Sequence, residues 1–311
     1  MYNITGVIYM EKSVRIKVPA TTANIGPGFD CLGMALDIWN YVEFTITDEK
    51  KDQVIITGQG QDVLNTGSDN LIIASAHKYF SYFDIKPPRL LINCENNIPV
   101  SRGLGSSSSA IIAGLLGAVN ICEHSIDYDL ILKLANEIEG HADNVAAALY
   151  GGCILVINDN SGNLIHQNIA IPEDLRCVLY IPGFSMATDE ARNLLKDTVS
   201  RMDAVYNISR LGLLINALNT SDFKLLSVAM QDALHQPSRK AVFRGMDIVI
   251  KSAMDGGALG ACLSGAGPTI LAFTNGREIT VTYEMRDAGD KLQLNGDAIV
   301  SAPSILGAQR Y

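Results

Sequence analysis

The amino-acid sequence predicts an α+β protein with two lobes. Stretches rich in β-branched and aromatic residues, such as Tyr41–Thr47, alternate with stretches whose apolar residues recur at helical spacing, such as Asn70–Phe83. The alternation lacks the regular rhythm of a parallel βαβ sheet, which favours α+β over α/β. Polar residues and glycine cluster in Asn158–Pro172, and this cluster indicates the boundary between the lobes.

The elements of the first lobe follow from local patterns along the chain. A turn-rich stretch, Thr21–Gly33, follows the first strand, and a loop, Asn97–Ser109, precedes an apolar helix that runs to about Asn120. Asp127 is the predicted N-cap of a helix with an apolar stripe, and Gly151-Gly152 closes another. The predicted strands are Arg15–Ala20, Tyr41–Thr47, Gln53–Gly58, Arg89–Cys94 and Cys153–Asn158, and the other helices are Asn70–Phe83 and His141–Leu149.

The second lobe begins with a predicted strand, Arg176–Ile181, and a helix that starts at Thr188. Helical patterns continue to about Met254 and give way to the glycine-rich segment Asp255–Gly267. Another predicted strand, Thr269–Phe273, follows this segment.

Composition excludes several classes of protein. A net charge of −9 over 311 residues leaves no global basic field for nucleic acid or anionic lipid. The longest apolar run, Ala110–Val119, is too short to span a bilayer, so no membrane association is expected. The first fifteen residues lack the pattern of a secretory signal, and the 6 cysteines form no CxxC pair. We therefore expect free thiols and a cytoplasmic protein.

A glycine–serine loop, Pro99–Ser109, carries the clearest chemical signal. Gly103 and Gly105 let the backbone approach a ligand closely, and Ser106–Ser109 supply hydroxyls and the first amides of the apolar helix. Unpaired amides and the helix dipole together make an anion site suited to a di- or triphosphate, to which Arg102 could add charge. The alternative, a flexible loop with a serine N-cap, is disfavoured because an apolar helix follows directly. The spacing matches neither a Walker loop nor a dinucleotide fingerprint.

Three segments in order resemble the motifs of the GHMP kinases, the family of galactokinase, homoserine kinase, mevalonate kinase and phosphomevalonate kinase. They are Val18–Asp30, Ile98–Ser108 and Leu263–Thr269. The resemblance implies an N-terminal ribosomal protein S5 domain 2-like lobe at 13–165 and a C-terminal ferredoxin-like lobe at 170–305. It also implies ATP and Mg²⁺ as cofactors. The implied ATP contacts are Pro99, Val100, Ser101, Arg102, Gly103, Leu104, Gly105, Ser106, Ser107, Ser108 and Ser109.

Four further segments resemble the homoserine kinases within this family. They are Ala23–Gly33, Glu137–Asn144, Ala187–Arg192 and His235–Arg239. The implied activity is transfer of the γ-phosphoryl group of ATP to the γ-hydroxyl of L-homoserine, in threonine biosynthesis. L-homoserine is the expected partner, with no nucleic acid and no membrane. We also expect a homodimer, although the sequence itself does not give the oligomeric state.

The resemblance implies a role for each matched side chain. Asp30 and Asn24 would hold the ammonium group of homoserine, and Arg192 and Arg239 would pair with its carboxylate. Asn144 would lie by the hydroxyl. His141 would either contact the substrate or orient the loop, and Thr188 would line the pocket. The implied catalytic residues are Asn144, Glu137 and Arg192, and the implied Mg²⁺ ligands are Glu137 and Ser107.

Some assignments stay open at this point. Glu137 is preferred to Glu139 only by alignment, and the run of four serines leaves open which hydroxyl meets the metal. The family pattern often has His-Pro-Asp-Asn where this chain has His141-Ala-Asp-Asn144. The resemblance implies catalysis without a strong base, which suits a loose phosphoryl-transfer transition state. A mevalonate-type kinase and an inactive relative that acts as a binding module are the alternatives.

Overall fold

The computed structural model describes residues 10–311, and these residues form two β-sheets with helices packed against them. The expectation about a secretory signal falls largely on residues 1–9, which lie outside this range. Within the described range, no helix has both the length and the apolar character needed to cross a bilayer.

The sheet of the first lobe contains seven strands within residues 10–311. Numbered along the chain, these strands are β1 (Ser13–Asn24), β2 (Gly28–Thr47), β3 (Gln53–Gly58), β4 (Arg89–Asn96), β5 (Cys153–Asn158), β6 (Leu164–Ile169) and β11 (Gln309–Arg310). The strand order is β11–β1–β2–β4–β3, and off this path β5 pairs with β2 and β6 pairs with β5. All pairs are antiparallel except β3–β4.

Among residues 10–311, the first lobe has four helices: α1 (Leu71–Tyr82), α2 (Ser106–Ile121), α3 (Tyr128–Glu139) and α4 (Ala142–Tyr150). The Asn70 side chain caps α1 by accepting a hydrogen bond from the Ile72 amide. The Asp127 side chain caps α3 by accepting one from the Leu130 amide at 3.0 Å, as predicted. Apart from its N-terminal end, α2 is buried almost all round, which explains its nearly continuous apolar sequence.

The second lobe has four strands in the order β10–β7–β9–β8. In chain order the lobe runs strand, helices, strand, strand, helix, strand, which is the ferredoxin-like arrangement that the resemblance implied. The strands are β7 (Arg176–Ile181), β8 (Gly260–Leu263), β9 (Ile270–Thr274) and β10 (Asp297–Ser301). The helices are α5 (Thr188–Asn193), α6 (Arg201–Thr220), α7 (Leu226–Ala229), α8 (Gln236–Arg239), α9 (Met246–Asp255) and α10 (Glu278–Lys291).

Strand β7 shows how the second lobe is joined to the first. Cys177 and Leu179 point into an apolar cluster shared with β1, β2, α6 and α7, whereas Val178 and Tyr180 point into a cluster with α9 and α10. Successive side chains of a strand point to opposite faces, so both faces of β7 are buried. This burial explains why its sequence is continuously apolar instead of alternating.

The chief departure from the predicted elements lies in the segment between the lobes. Asn158–Pro172 was predicted as a boundary, yet it contains β6, which pairs with β5 from Asn158↔Leu164 to Cys153↔Ile169. β2 also begins at Gly28, inside the stretch predicted as turn-rich. The proposed lobe limits, 13–165 and 170–305, remain a prediction.

Two helical glycines provide a matched test of the packing. A Cβ on Gly117 of α2 would lie 2.5 Å from the Phe44 ring, whereas one on Gly212 of α6 would meet no atom within 4 Å in the described part of the chain. We expect Gly117→Ala to lower the free energy of unfolding by about 1–3 kcal/mol because it overpacks the core. Gly212→Ala should raise it by about 0.5–1 kcal/mol through helix propensity. Urea unfolding of both variants checks this, and equal effects would contradict the described contact between α2 and β2.

Candidate active site

A cavity of about 370 Å³ lies between the glycine–serine loop and the polar residues that the sequence singled out. Its lining includes most of the predicted site residues from both lobes. They are Asn24, Asp30, Val100–Gly103, Gly105–Ser109, His141, Asn144, Thr188, Arg192 and Arg239. Glu137, Pro99 and Leu104 are not part of this lining.

The loop packs tightly against its surroundings. A Cβ on Gly105 would lie 1.9 Å from the Thr21 hydroxyl, and one on Gly103 would lie 2.3 Å from the Ser264 carbonyl. Both residues also have positive φ, at 69° and 75°, so glycine is required on conformational grounds as well. Leu104 between them is fully buried in the apolar cluster between the lobes. We conclude that Leu104 anchors the loop instead of contacting a ligand with its side chain.

The amino end of α2 faces the cavity without a side-chain cap. Gly105 is the N-cap, and no serine side chain accepts a hydrogen bond there. The first backbone amides of α2 have no carbonyl partner within the helix, so they are available to an anion. Arg102 also lines the cavity. Its Nη2 donates to the neutral Gly183 carbonyl at 2.9 Å, and its Nη1 has no hydrogen-bond partner among residues 10–311, so its positive charge is not neutralised by these contacts.

The carboxylate that meets the loop serines belongs to Glu139. Its Oε1 accepts hydrogen bonds from the Ser107 hydroxyl at 2.6 Å and from the Ser108 hydroxyl at 2.9 Å. The prediction that Glu137 would partner the loop is wrong. Its Oε2 lies 2.9 Å from Nζ of Lys78, outside the cavity, and both side chains are partly exposed.

Helix geometry explains the difference between the two glutamates. Residues two apart on an α-helix point in nearly opposite directions, so only one of them can face α2. Glu139 follows buried Ile131 and Ala135 at intervals of four, whereas Glu137 follows exposed Lys133. This spacing is visible in the sequence and would have selected Glu139. A carboxylate with one or two hydroxyls is the hard oxygen set that Mg²⁺ prefers, so these residues fit the implied metal.

Asn144 lies at the first turn of α4 with its side chain held in place. The Thr21 hydroxyl donates to Asn144 Oδ1 at 2.7 Å. Asp143, which the sequence analysis left without a role, accepts from the Asn144 amide at 2.7 Å and from Nδ1 of His141 at 2.8 Å. Thr21 and Asp143 therefore position Asn144 and His141, the two residues that were predicted to lie near the hydroxyl of the substrate.

Asp30 is paired across the cavity with Arg192 of α5. Nη1 and Nη2 of Arg192 donate to the two carboxylate oxygens of Asp30 at 3.0 and 2.6 Å. This bidentate pairing raises the pKa of Arg192. Asn24 lies behind the pair, where it accepts from the Asp30 amide at 3.0 Å and donates to the Gly265 carbonyl at 2.9 Å. The amide of Asn24 thus fixes the backbone of Asp30.

Arg239 of α8 is buried, with 1% of its surface exposed. Its Nη1 donates to Nδ1 of His235 at 2.8 Å and to the Gly265 carbonyl at 3.0 Å. Its Nε has no hydrogen-bond partner among residues 10–311. Burial, and then the nearby charge of Arg192, lower the pKa of Arg239 to about 10. The nearby carboxylates of Asp30, Asp232 and Asp143 offset burial and Arg192 only in part. Such a guanidinium favours an anionic ligand, because a buried charge that is only partly compensated is costly.

Part of the cavity lining was missed by sequence reasoning. Besides the residues named above, the lining includes the apolar residues Val42 and Ile56 and the amide residues Asn65 and Asn70. These residues come from two strands and from the segment that leads into α1. They share no local pattern, and Val42 and Ile56 come together because β2 and β3 both pair with β4, each opposite Cys94.

Comparisons with known proteins place the chain in a family. The family model for the GHMP kinases N terminal domain matches residues 70–152, and that for the GHMP kinases C terminal domain matches residues 214–291. A homoserine kinase of Crocosphaera subtropica is 40% identical over 93% of this chain and 95% of its own length. The chain belongs to the homoserine kinases of the GHMP kinase family.

Solved structures agree with this membership. The crystal structure of homoserine kinase from Cytophaga hutchinsonii superimposes with a TM-score of 0.88 at 29% identity, covering 100% of both chains. L. major mevalonate kinase in complex with R-mevalonate gives a TM-score of 0.70 at 16% identity, over 97% of this chain and 99% of that one. The second likeness shows only that the GHMP kinase fold is shared.

We expect His141 to make the stability of this family member depend on pH. Burial disfavours the charged imidazolium, but the hydrogen bond to Asp143 and its charge outweigh burial and raise the pKa of His141. A raised pKa in the folded state adds stability that is fully present below the unfolded pKa of about 6.5. This stability is lost as the pH rises through the pKa of His141 in the folded state.

The free energy of unfolding of the wild type minus that of His141→Asn should therefore be larger near pH 5.5 than near pH 8.5. Urea unfolding at a series of pH values measures this difference. The same comparison in an Asp143→Asn background should be flatter or reversed, because burial then acts without the carboxylate. A difference that grew with pH would contradict the pairing.

Proposed function

We propose that this protein transfers the γ-phosphoryl group of ATP to the γ-hydroxyl of L-homoserine and forms O-phospho-L-homoserine. Membership of the homoserine kinases supports the reaction. The cavity supports it independently, because a loop suited to phosphates adjoins charges suited to an amino acid. The predicted cytoplasmic location and homodimer are not needed for this proposal and stay predictions.

The buried guanidinium of Arg239 is the observation that carries the proposal. The side chain is nearly inaccessible, lines the cavity, and leaves Nε without a partner in the described chain. A ligand carboxylate in the cavity would add negative charge beside this incompletely paired cation. Hydrogen bonds to charged groups contribute about 1.5–3 kcal/mol, which is roughly 10–100-fold in affinity.

The pair of Asp30 and Arg192 would complete the recognition of a zwitterion. In the structure these side chains neutralise each other at 2.6–3.0 Å. Homoserine carries an ammonium that matches Asp30 and a carboxylate that matches Arg192 and Arg239. Binding would thus exchange one ion pair of the protein for contacts to both ends of the substrate. Thr188, one turn before Arg192 on the same helix, would close the side of this subsite.

The phosphates of ATP would lie on the glycine–serine loop and the amino end of α2. Glu139 and the hydroxyl of Ser107 or Ser108 would hold Mg²⁺, and the bound metal would supply positive charge that neutralises the charge developing on the phosphates. The apolar residues Val42 and Ile56 and the amide residues Asn65 and Asn70 of the lining would accept the nucleobase.

The homoserine hydroxyl would lie against Asn144 and His141, next to the phosphate loop. The Thr21 hydroxyl donates to the Asn144 side chain at 2.7 Å, and the Asp143 carboxylate accepts from the Asn144 backbone amide at 2.7 Å and from its side-chain Nδ2 at 3.3 Å. The hydroxyl would therefore be oriented by groups that are themselves fixed. Most of the rate enhancement would then come from alignment and charge neutralisation, as the loose transition state of phosphoryl transfer allows.

A substrate series tests the proposed reaction. ADP release should require L-homoserine, ATP and Mg²⁺ together. Removing the ammonium (4-hydroxybutyrate) or the carboxylate (3-amino-1-propanol) should each lower kcat/KM by at least about 10–100-fold, the effect of one charged hydrogen-bond set. Turnover of mevalonate without turnover of homoserine would overturn the proposal in favour of a mevalonate-type kinase. Binding of ATP without any ADP release would favour an inactive relative.

The two glutamates of α3 offer a matched pair for the metal site. Glu139→Gln should lower kcat at least about 100-fold, because it removes the charge that balances the metal and phosphates. Glu137→Gln should leave kcat within about twofold, because a partly exposed ion pair contributes little. The concentration of Mg²⁺ needed for half-maximal rate should rise only in the first variant. The reverse pattern would restore Glu137 as the metal ligand.

A further inference from the structure

His235 is a buried side chain to which neither the resemblance nor the proposed reaction gave a role. It is the first residue of the segment His235–Arg239, which the sequence analysis used only for its arginine. Its ring is fully buried at the amino end of α8. Its backbone amide donates to Oδ2 of Asp232 at 2.9 Å, which fixes the position of the residue.

Both ring nitrogens of His235 have partners that determine its protonation. Nδ1 lies 2.8 Å from Nη1 of Arg239, and Nε2 lies 2.9 Å from the Gly26 carbonyl. A guanidinium only donates hydrogen bonds, so Nδ1 must accept. A carbonyl only accepts, so Nε2 must carry the proton. The ring is therefore neutral and held in one tautomer. Burial and the charge of Arg239 lower the pKa of His235 to about 4, and they outweigh the buried carboxylate of Asp232, whose Oδ2 lies 3.5 Å from Nε2 and favours the charged ring.

The same ring contacts the turn that carries Asp30. Gly26 lies in the turn between β1 and β2, and its packing is so close that a Cβ would lie 2.2 Å from the Met230 carbonyl. The Phe29 ring, one residue before Asp30, stacks on His235 with centroids 5.4 Å apart and planes at 23°. Phe29 in turn lies 5.8 Å from Cζ of Arg239. His235 thus contacts both the turn that carries Asp30 and the guanidinium of Arg239.

We propose that His235 is a positioning residue that sets the distance and orientation between Arg239 and Asp30, and thereby the fit for an α-amino acid. The inference rests on the proposed function, in which these two side chains bind opposite ends of the substrate. Because one rigid ring contacts both the turn that carries Asp30 and the guanidinium of Arg239, the spacing of the two charges is fixed before the substrate binds. Positioning of this kind lowers the entropy lost on binding.

Two substitutions separate the two contacts of the ring. In His235→Asn, Oδ1 lies near the position of Nδ1 and can still accept from Arg239, but the side chain is too short to reach Gly26. In His235→Gln, the amide nitrogen lies near the position of Nε2 and can donate to the Gly26 carbonyl, but the acceptor for Arg239 is lost. Arg239 then keeps only the Gly265 carbonyl.

We expect His235→Gln to raise the KM for L-homoserine at least about tenfold, the lower end of the effect of a charged hydrogen bond. His235→Asn should raise it by less than about fivefold, and the KM for ATP should stay within about twofold in both. His124→Gln is the matched control, because it breaks a 2.8 Å contact between a histidine and Tyr79 away from the cavity. This control should leave the KM for homoserine unchanged.

A merely structural role would give a different pattern. Equal KM values for homoserine in the Asn and Gln variants, or an equal rise in the KM for ATP, would overturn the proposal. NMR of the wild type labelled with ¹⁵N in its histidine rings supplies a readout that does not depend on turnover. The His235 ring should show the neutral tautomer with its proton on Nε2 from pH 5 to pH 8, and any other state would also overturn it. Failure of the wild type to phosphorylate homoserine, with this tautomer present, would instead refute the substrate assignment.

Discussion

The loop between β4 and α2 packs so closely against both lobes that neither Gly103 nor Gly105 could carry a side chain. Gly105 lies on Thr21 of the first lobe, and Gly103 lies on the segment that joins β8 to β9 in the second. The Ser264 hydroxyl lies 2.6 Å from the Gly103 carbonyl and 2.8 Å from the Thr22 hydroxyl, so one side chain contacts the loop and β1 together. This three-way contact fixes the glycine–serine loop relative to the residues of both lobes that complete the cavity.

The charges of the cavity are arranged around this fixed loop. Arg239 is buried with an unpaired Nε in the described chain, whereas Arg192 and Asp30 neutralise each other in a more accessible position. A typical domain is stable by only about 5–15 kcal/mol, so a buried cation without a full set of acceptors is a substantial burden. Retention of such a group is most easily explained by a ligand that compensates it. The site is therefore better adapted to a ligand that carries a carboxylate than to the empty state.

The sequence predicted those features that depend on local patterns. The alternating strands, the Asp127 cap and the glycine–serine loop all follow from neighbours within a few residues. The sequence could not predict β6, because its exposed polar residues resemble a linker. Its strand conformation comes from pairing with β5. The contact between Asp30 and Arg192 joins residues 162 apart, and no spacing rule reaches that far. The burial of Arg239 was equally hidden, since arginine is usually exposed.

The choice between Glu137 and Glu139 shows where a family resemblance needs physical reasoning beside it. The alignment selected a residue that a helical wheel would have rejected, because Glu137 continues the exposed face of Lys133. Physical reasoning also indicates which side chains matter for catalysis. Orientation of reacting groups can supply about 7–11 kcal/mol of a barrier without any proton transfer to the protein. Side chains such as Thr21, Asp143 and His235, which hold other side chains in place, are thus as necessary to such a site as those that contact the substrate.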